Sequence, residues 1–289
     1  MLDNFSLIPD EACTAMGDVA NNLINKIADV TGYIFTPRGK RKDREEAVNY
    51  FIDEIKKNDK MPVGLKAASI SEARRLLKKY INQQDILSEA MKFLSDTADP
   101  KKMDDDWLMA FMDKAANASS KDIQIIYSKI LAEEVNNPGK ASKALVNTIS
   151  IMDRLSAEKF GELLKCAIYV KTKQGEEPIV IYPMFDQEKY SDSLRFADIL
   201  NLSSLGLLDY KDAPNMEYTL VINSLNARYG DLHFTLKCKE SKNIIEIGDV
   251  GLTRMGRELG SILTPDIDQN YFEKIKQYWK NHDIDVIEI

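Results

Sequence analysis

The residue types that carry covalent chemistry are scarce and scattered in this chain. There are two histidines, His233 and His282, and three cysteines, Cys13, Cys166 and Cys238. A nucleophilic triad needs a base within reach of a serine or thiol, and neither histidine is accompanied by a serine elbow or a placed cysteine. The cysteines are far apart, odd in number and without paired spacing, which suggests neither a zinc site nor a disulfide framework. Cys166 and Cys238 fall on apolar faces and read as buried thiols. Glu133-Glu134 resembles a carboxylate pair, but adjacent helical residues point about 100° apart, so both are expected to face solvent. Asp231 followed by Glu240-Ser241-Lys242 has the order of some nuclease sites, a combination common by chance. No glycine-rich phosphate loop occurs. No catalytic, cofactor-binding or metal-ligating residue is therefore assigned, no cofactor is expected, and an enzyme is not the favoured reading.

The elements that would position any site are mainly helical. The centre of the chain is residues 104 to 139. Asp104-Asp105-Asp106 can accept the free N–H groups of a helix start and suits the positive end of its dipole. Trp107, Leu108, Phe111, Met112 and Ala115 then share one face. Ser119 or Ser120 restarts the pattern, and Ile123, Ile126, Tyr127, Ile130, Leu131 and Val135 form the next stripe. Asn136-Asn137-Pro138-Gly139 ends it. Two such helices joined by a short polar turn form a helical hairpin. Trp107, Phe111 and Tyr127 are its expected structural anchors, because aromatics at helical spacing belong to a core.

These same residues resemble a known family. Asp106-Trp107-Leu108, Phe111, Ser120-Lys121-Asp122-Ile123-Gln124, Lys129-Ile130-Leu131-Ala132-Glu133-Glu134, Asn137-Pro138-Gly139 and Ser142 look like an uncharacterised bacterial family catalogued as domain of unknown function twenty-eight-oh-six. That pattern has a tryptophan just before the Lys-Ile-Leu-Ala-Glu run, where this chain has Tyr127. The resemblance covers residues 15 to 170 well and the rest loosely. More distantly, the stretch resembles the abortive-infection alpha family, associated with bacterial defence against phage. The closer family implies no catalytic residues.

Composition sets bounds on the rest. The chain has 289 residues, 44% hydrophobic and 29% charged, enough for one large or two modest cores. Net charge is 39 − 46, or −7, which disfavours a general nucleic-acid coat but allows a local basic face. Sparse cysteine fits a reducing, cytoplasmic location. Asp3, Asp10 and Glu11 stand where a secretory leader would be basic, and no apolar run reaches the length of about 18 residues that spans a bilayer.

Residues 1–62 read as an amphipathic N-terminal arm. Met16, Val19, Ala20, Leu23, Ile24, Ile27, Ala28 and Ile34 follow helical spacing up to Thr36-Pro37. Arg38, Lys40, Arg41, Lys42 and Arg44 come next, a candidate basic surface that could meet an anionic membrane. Packing of the stripe on the protein or on another subunit is the favoured outcome. A charged helix follows, with Val48, Phe51, Ile52 and Ile55 inward. Residues 63–172 read as a helical bundle. Its first long helix runs from Ser69 or Ser71 to about Ser95. Helices over 141–155 and from Ser156 onward complete it, the last carrying Phe160, Leu163, Leu164, Ala167 and Ile168 inward.

The period changes after the polar stretch 171–177, and residues 175–289 read as a winged-helix-like domain. The spacing predicts a strand at 179–182, a helix over 193–204 ending in Leu205-Gly206-Leu207-Leu208, and a strand at 218–222. An alternating strand at Leu232–Cys238 should pair with Ile244–Ile247, and Leu252-Thr253-Arg254-Met255-Gly256 should open a further helix. Tyr271, Phe272, Ile275, Tyr278 and Trp279 mark the last helix, before a small strand at Ile284 and Val286. The order helix, ribbon, helix resembles a winged-helix module, which reads DNA through a basic helix. The candidate helix 193–204 carries Arg195 beside Asp192 and Asp198, so a structural or protein-binding wing is preferred to a nucleic-acid reader. The fold class is thus α+β. The expected function is a non-enzymatic interaction or effector protein with a protein partner or self-association, and a nucleic-acid-binding regulator is the alternative.

Overall fold

The computed structural model describes residues 17–35, 41–172, 175–182, 194–210, 218–239, 244–263 and 265–289; at 41–44, 218–220 and 246 it describes the backbone only. The chain is α+β and divides into two compact units, Met1–Ser150 and Ile151–Ile289.

The first unit is helical. Helix α1 (Asp18–Thr31) stops at Gly32, whose φ of +68° lets its N–H reach Ala28 O at 2.9 Å. That stop comes before the expected Thr36-Pro37. Leu23, Ile24 and Ile27 of α1 are buried, and the helix packs on α4 (Asp105–Ala115) and on the short 3-10 turn at Pro100–Lys102. Lys26 and Asp105 form an ion pair at the edge of this contact. Helices α2 (Arg41–Lys57) and α3 (Val63–Ala90) make an antiparallel hairpin. α3 begins earlier than the serines suggest. Pro62 takes its N-cap position and accepts Lys66 N at 3.0 Å; a proline there removes no needed donor. Of the four residues expected inward on α2, Ile52 and Ile55 are buried, whereas Phe51 is exposed.

The central hairpin follows the sequence reading closely. Asp104 Oδ1 accepts Trp107 N at 2.7 Å and caps α4. α5 (Lys121–Asn136) begins after Ser120, and α6 (Lys143–Ile151) follows the Pro-Gly stop. Trp107, Phe111 and Tyr127 are all buried. Trp107 stacks on Phe111 at 5.0 Å between ring centroids, and Phe111 meets Tyr127 edge-on at 5.5 Å. The Tyr127 hydroxyl lies 3.3 Å from Val146 O, tying α5 to α6.

The second unit starts with α7 (Arg154–Leu164), capped by Asp153 rather than Ser156: Asp153 Oδ1 accepts Ser156 N at 2.7 Å. The helix does not continue through Ala167 and Ile168. Those residues open β1 (Ala167–Thr172), which pairs with β2 (Gly175–Val180) across the stretch expected to be a boundary. The run Ala-Ile-Tyr-Val is buried on both faces, so it shows no two-residue alternation, and its apolar residues continued the helical count instead.

Six of the remaining strands pair in nested order, a ribbon divided among three sheets. β3 (Leu208–Tyr210) pairs with β8 (Val250–Leu252), β4 (Tyr218–Val221) with β7 (Ile244–Gly248), and β5 (Ser224–Tyr229) with β6 (Leu232–Cys238), all antiparallel. β6 therefore pairs with β5, not with Ile244–Ile247. Gly230, with φ +56°, makes the tight two-residue loop Gly230-Asp231 possible. The tip of the ribbon joins the main sheet, of order β2-β1-β5-β6-β9, where β9 is Ile284–Glu288. Helix α10 (Gln269–Asn281) packs here: Phe272 stacks on Tyr229 at 5.0 Å and Phe234 lies 6.0 Å from Trp279. The Tyr271 hydroxyl is 2.6 Å from Ile181 O and 3.0 Å from Cys166 O.

Candidate interaction site

The Lys129–Ser142 run builds a clamp from its own polar groups. Glu134 is 2% exposed, against the expectation that it faces solvent. Its carboxylate accepts Gly139 N at 2.7 Å and Ala141 N at 3.0 Å, across the loop that begins where α5 ends. Burial pushes the Glu134 carboxyl above its ordinary 4.5, with the Asp104 charge adding to this, while the N–H groups of Gly139, Lys140 and Ala141 pull the other way. Asn136 holds the end of α3's extension: Ser95 N donates to its Oδ1 at 2.8 Å, and its Nδ2 donates to Phe93 O at 2.9 Å. Asn137 Nδ2 donates to Glu133 Oε1 at 3.0 Å, and Leu145 N donates to Ser142 Oγ at 3.1 Å. Gly139, with φ +88°, turns the chain. Sequence reasoning missed Glu134. The usable signal was a glutamate shortly before an Asn-Pro-Gly turn that must present successive N–H groups inward.

A polar cleft lies between α3 and α5, lined by Asp85, Glu89, Lys121, Gln124, Ile125 and Ser128. Lys121 Nζ donates to Asp85 Oδ2 at 2.6 Å and to Gln124 Oε1 at 2.9 Å. Gln124 Nε2 donates to Ala118 O at 2.8 Å, and Ser128 Oγ to Gln124 O at 2.7 Å. Asn82 Nδ2 donates to Ala116 O at 2.9 Å. Ser128 Oγ also donates to Ile86 O at 3.0 Å and Gln124 Nε2 to Asn82 Oδ1 at 3.3 Å, so these buried groups lock the two helices together, as buried polar groups must when water is excluded. Lys121 is held between an anion and an amide, which suits a structural link and not a nucleophile.

Trp107, Phe111 and Tyr127 lie together in the helical core. Arg38 and Lys40 of the basic surface lie outside the described residues, as do the side chains of Arg41, Lys42 and Arg44. Glu240, Ser241 and Lys242 also lie outside them, while Asp231 sits in the hairpin loop at the ribbon tip. Cys166 is buried, and burial raises its thiol pKa well above the ordinary value, the state of an unreactive thiol. Among the described residues no group of three or more metal-ligating side chains occurs. Among them, no helix is long and apolar enough to cross a membrane.

In the second unit, the two motifs that suggested a wing meet. Thr253 Oγ1 donates to Gly206 O at 2.6 Å and accepts Gly256 N at 3.2 Å, while Thr253 N donates to Leu207 O at 3.0 Å. The Leu-Gly-Leu-Leu end of α8 (Phe196–Ser204) is thereby clipped to the start of α9 (Arg254–Ile262). α8 contains no lysine or arginine, and its outward face carries Phe196 and Leu200. Asp198 accepts Arg195 N at 2.9 Å and closes the helix start. On α9, Arg254 pairs with Glu258 at 2.8 Å, and Arg257 Nη1 donates to Leu252 O at 2.8 Å.

Residues 71–276 match the model of a family described as protein of unknown function, DUF2806. The chain belongs to the DUF2806 family. Neither the curated proteins nor the solved structures compared with it gave a match. The DUF2806 match runs from within α3 to within α10, so it includes the Glu134 clamp, the α3–α5 cleft and the nested ribbon.

Proposed function

We propose that this DUF2806 protein acts by binding, as a non-enzymatic interaction or effector protein of bacterial phage defence, working in the cytoplasm. The observation that carries the binding half is what the polar residues of the Lys129–Ser142 run do. Glu134, Asn136, Asn137 and Ser142 each bond to groups of the chain itself. A catalytic motif keeps polar groups free to meet a substrate; this one makes a rigid scaffold. The defence half rests on the distant resemblance to the abortive-infection alpha family. Expression of the full chain in a susceptible bacterium should lower the plating efficiency of at least one phage in a broad panel. Unchanged plating across the panel would remove the defence reading, and turnover of any substrate by the purified chain would remove the binding one.

A winged-helix regulator is the second reading, favoured by the clip between Gly206 and Thr253 that joins α8 to α9. Two observations weigh against it. α8 lacks the cations that phosphate contact needs, and the ribbon tip is paired on both sides within the main sheet. Duplex binding at physiological salt should therefore be weak and salt-labile. Nanomolar, sequence-specific retention that survives raised salt would make the regulator the better reading. Membrane attachment through the N-terminal arm is less favoured, because α1 buries its apolar stripe on the bundle.

A further inference from the structure

We draw no further inference here: the strongest candidate, the outer edge of β9 in the main sheet, where the N–H and C=O groups of Ile284, Val286 and Glu288 point away from β6, carries nothing, because its Asp285 and Glu288 already pair with Lys239 and Lys276 and nothing in the structure shows what strand would cover it.

Discussion

Replacing Glu134 probes the scaffold where it is most tightly built. Glu134→Ala removes the acceptor of two bonds, from Gly139 N at 2.7 Å and Ala141 N at 3.0 Å. The two donors do not suffer equally. Gly139 is exposed and can turn to water, whereas Ala141 is 2% exposed and cannot. A buried donor left without a partner costs about 1–3 kcal/mol. The expected loss is therefore about 1–3 kcal/mol, most of it from Ala141. Glu134→Gln keeps one carbonyl acceptor and should lose about 1–2 kcal/mol.

The pH dependence of this loss has a definite sign. Burial raises the Glu134 pKa above 4.5 in the folded chain, so the folded state holds this proton more tightly than the unfolded state. The stability linked to this ionisation is fully present below the ordinary value and is lost as pH rises through the raised one. The gap between wild type and Glu134→Ala should therefore be widest in acid and narrow as the pH rises. The two tryptophans make the assay local, since Trp107 lies in the first unit and Trp279 in the second. Urea unfolding followed by Trp107 fluorescence in a Trp279→Phe background, at several pH values, reads the first unit. A gap that widens with rising pH would show that the N–H donors outweigh burial and would refute the reasoning.

Trp107→Ala should destabilise the first unit by about 3–5 kcal/mol, because a buried ring stacked on Phe111 is replaced by a cavity; an unchanged melting curve with intact circular dichroism would contradict this. Gly256→Ala should destabilise the second unit by about 1–3 kcal/mol or more. A Cβ there would lie 2.1 Å from Leu207 O, a backbone atom on the strand side of the Thr253 clip. Wild-type thermal stability in that variant would mean the clip can open without loss.

What the sequence determined by itself is local. Aspartates before Trp107 dictate a helix start, the stripe from Ile123 to Val135 dictates which face is buried, and Asn137-Pro138-Gly139 dictates a stop. All three are found as read, because capping and helical periodicity act within a few residues. The last helix is equally legible: Tyr271, Phe272, Ile275, Tyr278 and Trp279 are its buried residues. Tertiary structure decided the rest. β1 looks like a helix tail in sequence, since only the partners on its two faces distinguish a doubly buried strand from a buried helical turn. The partner of β6 was set by the Gly230-Asp231 loop and the nested ribbon, and alternation alone cannot say which of two strands pairs. Glu134 looks like one surface acid of a pair. It is buried because the chain returns over it five to seven residues later, bringing N–H donors that no helical count places.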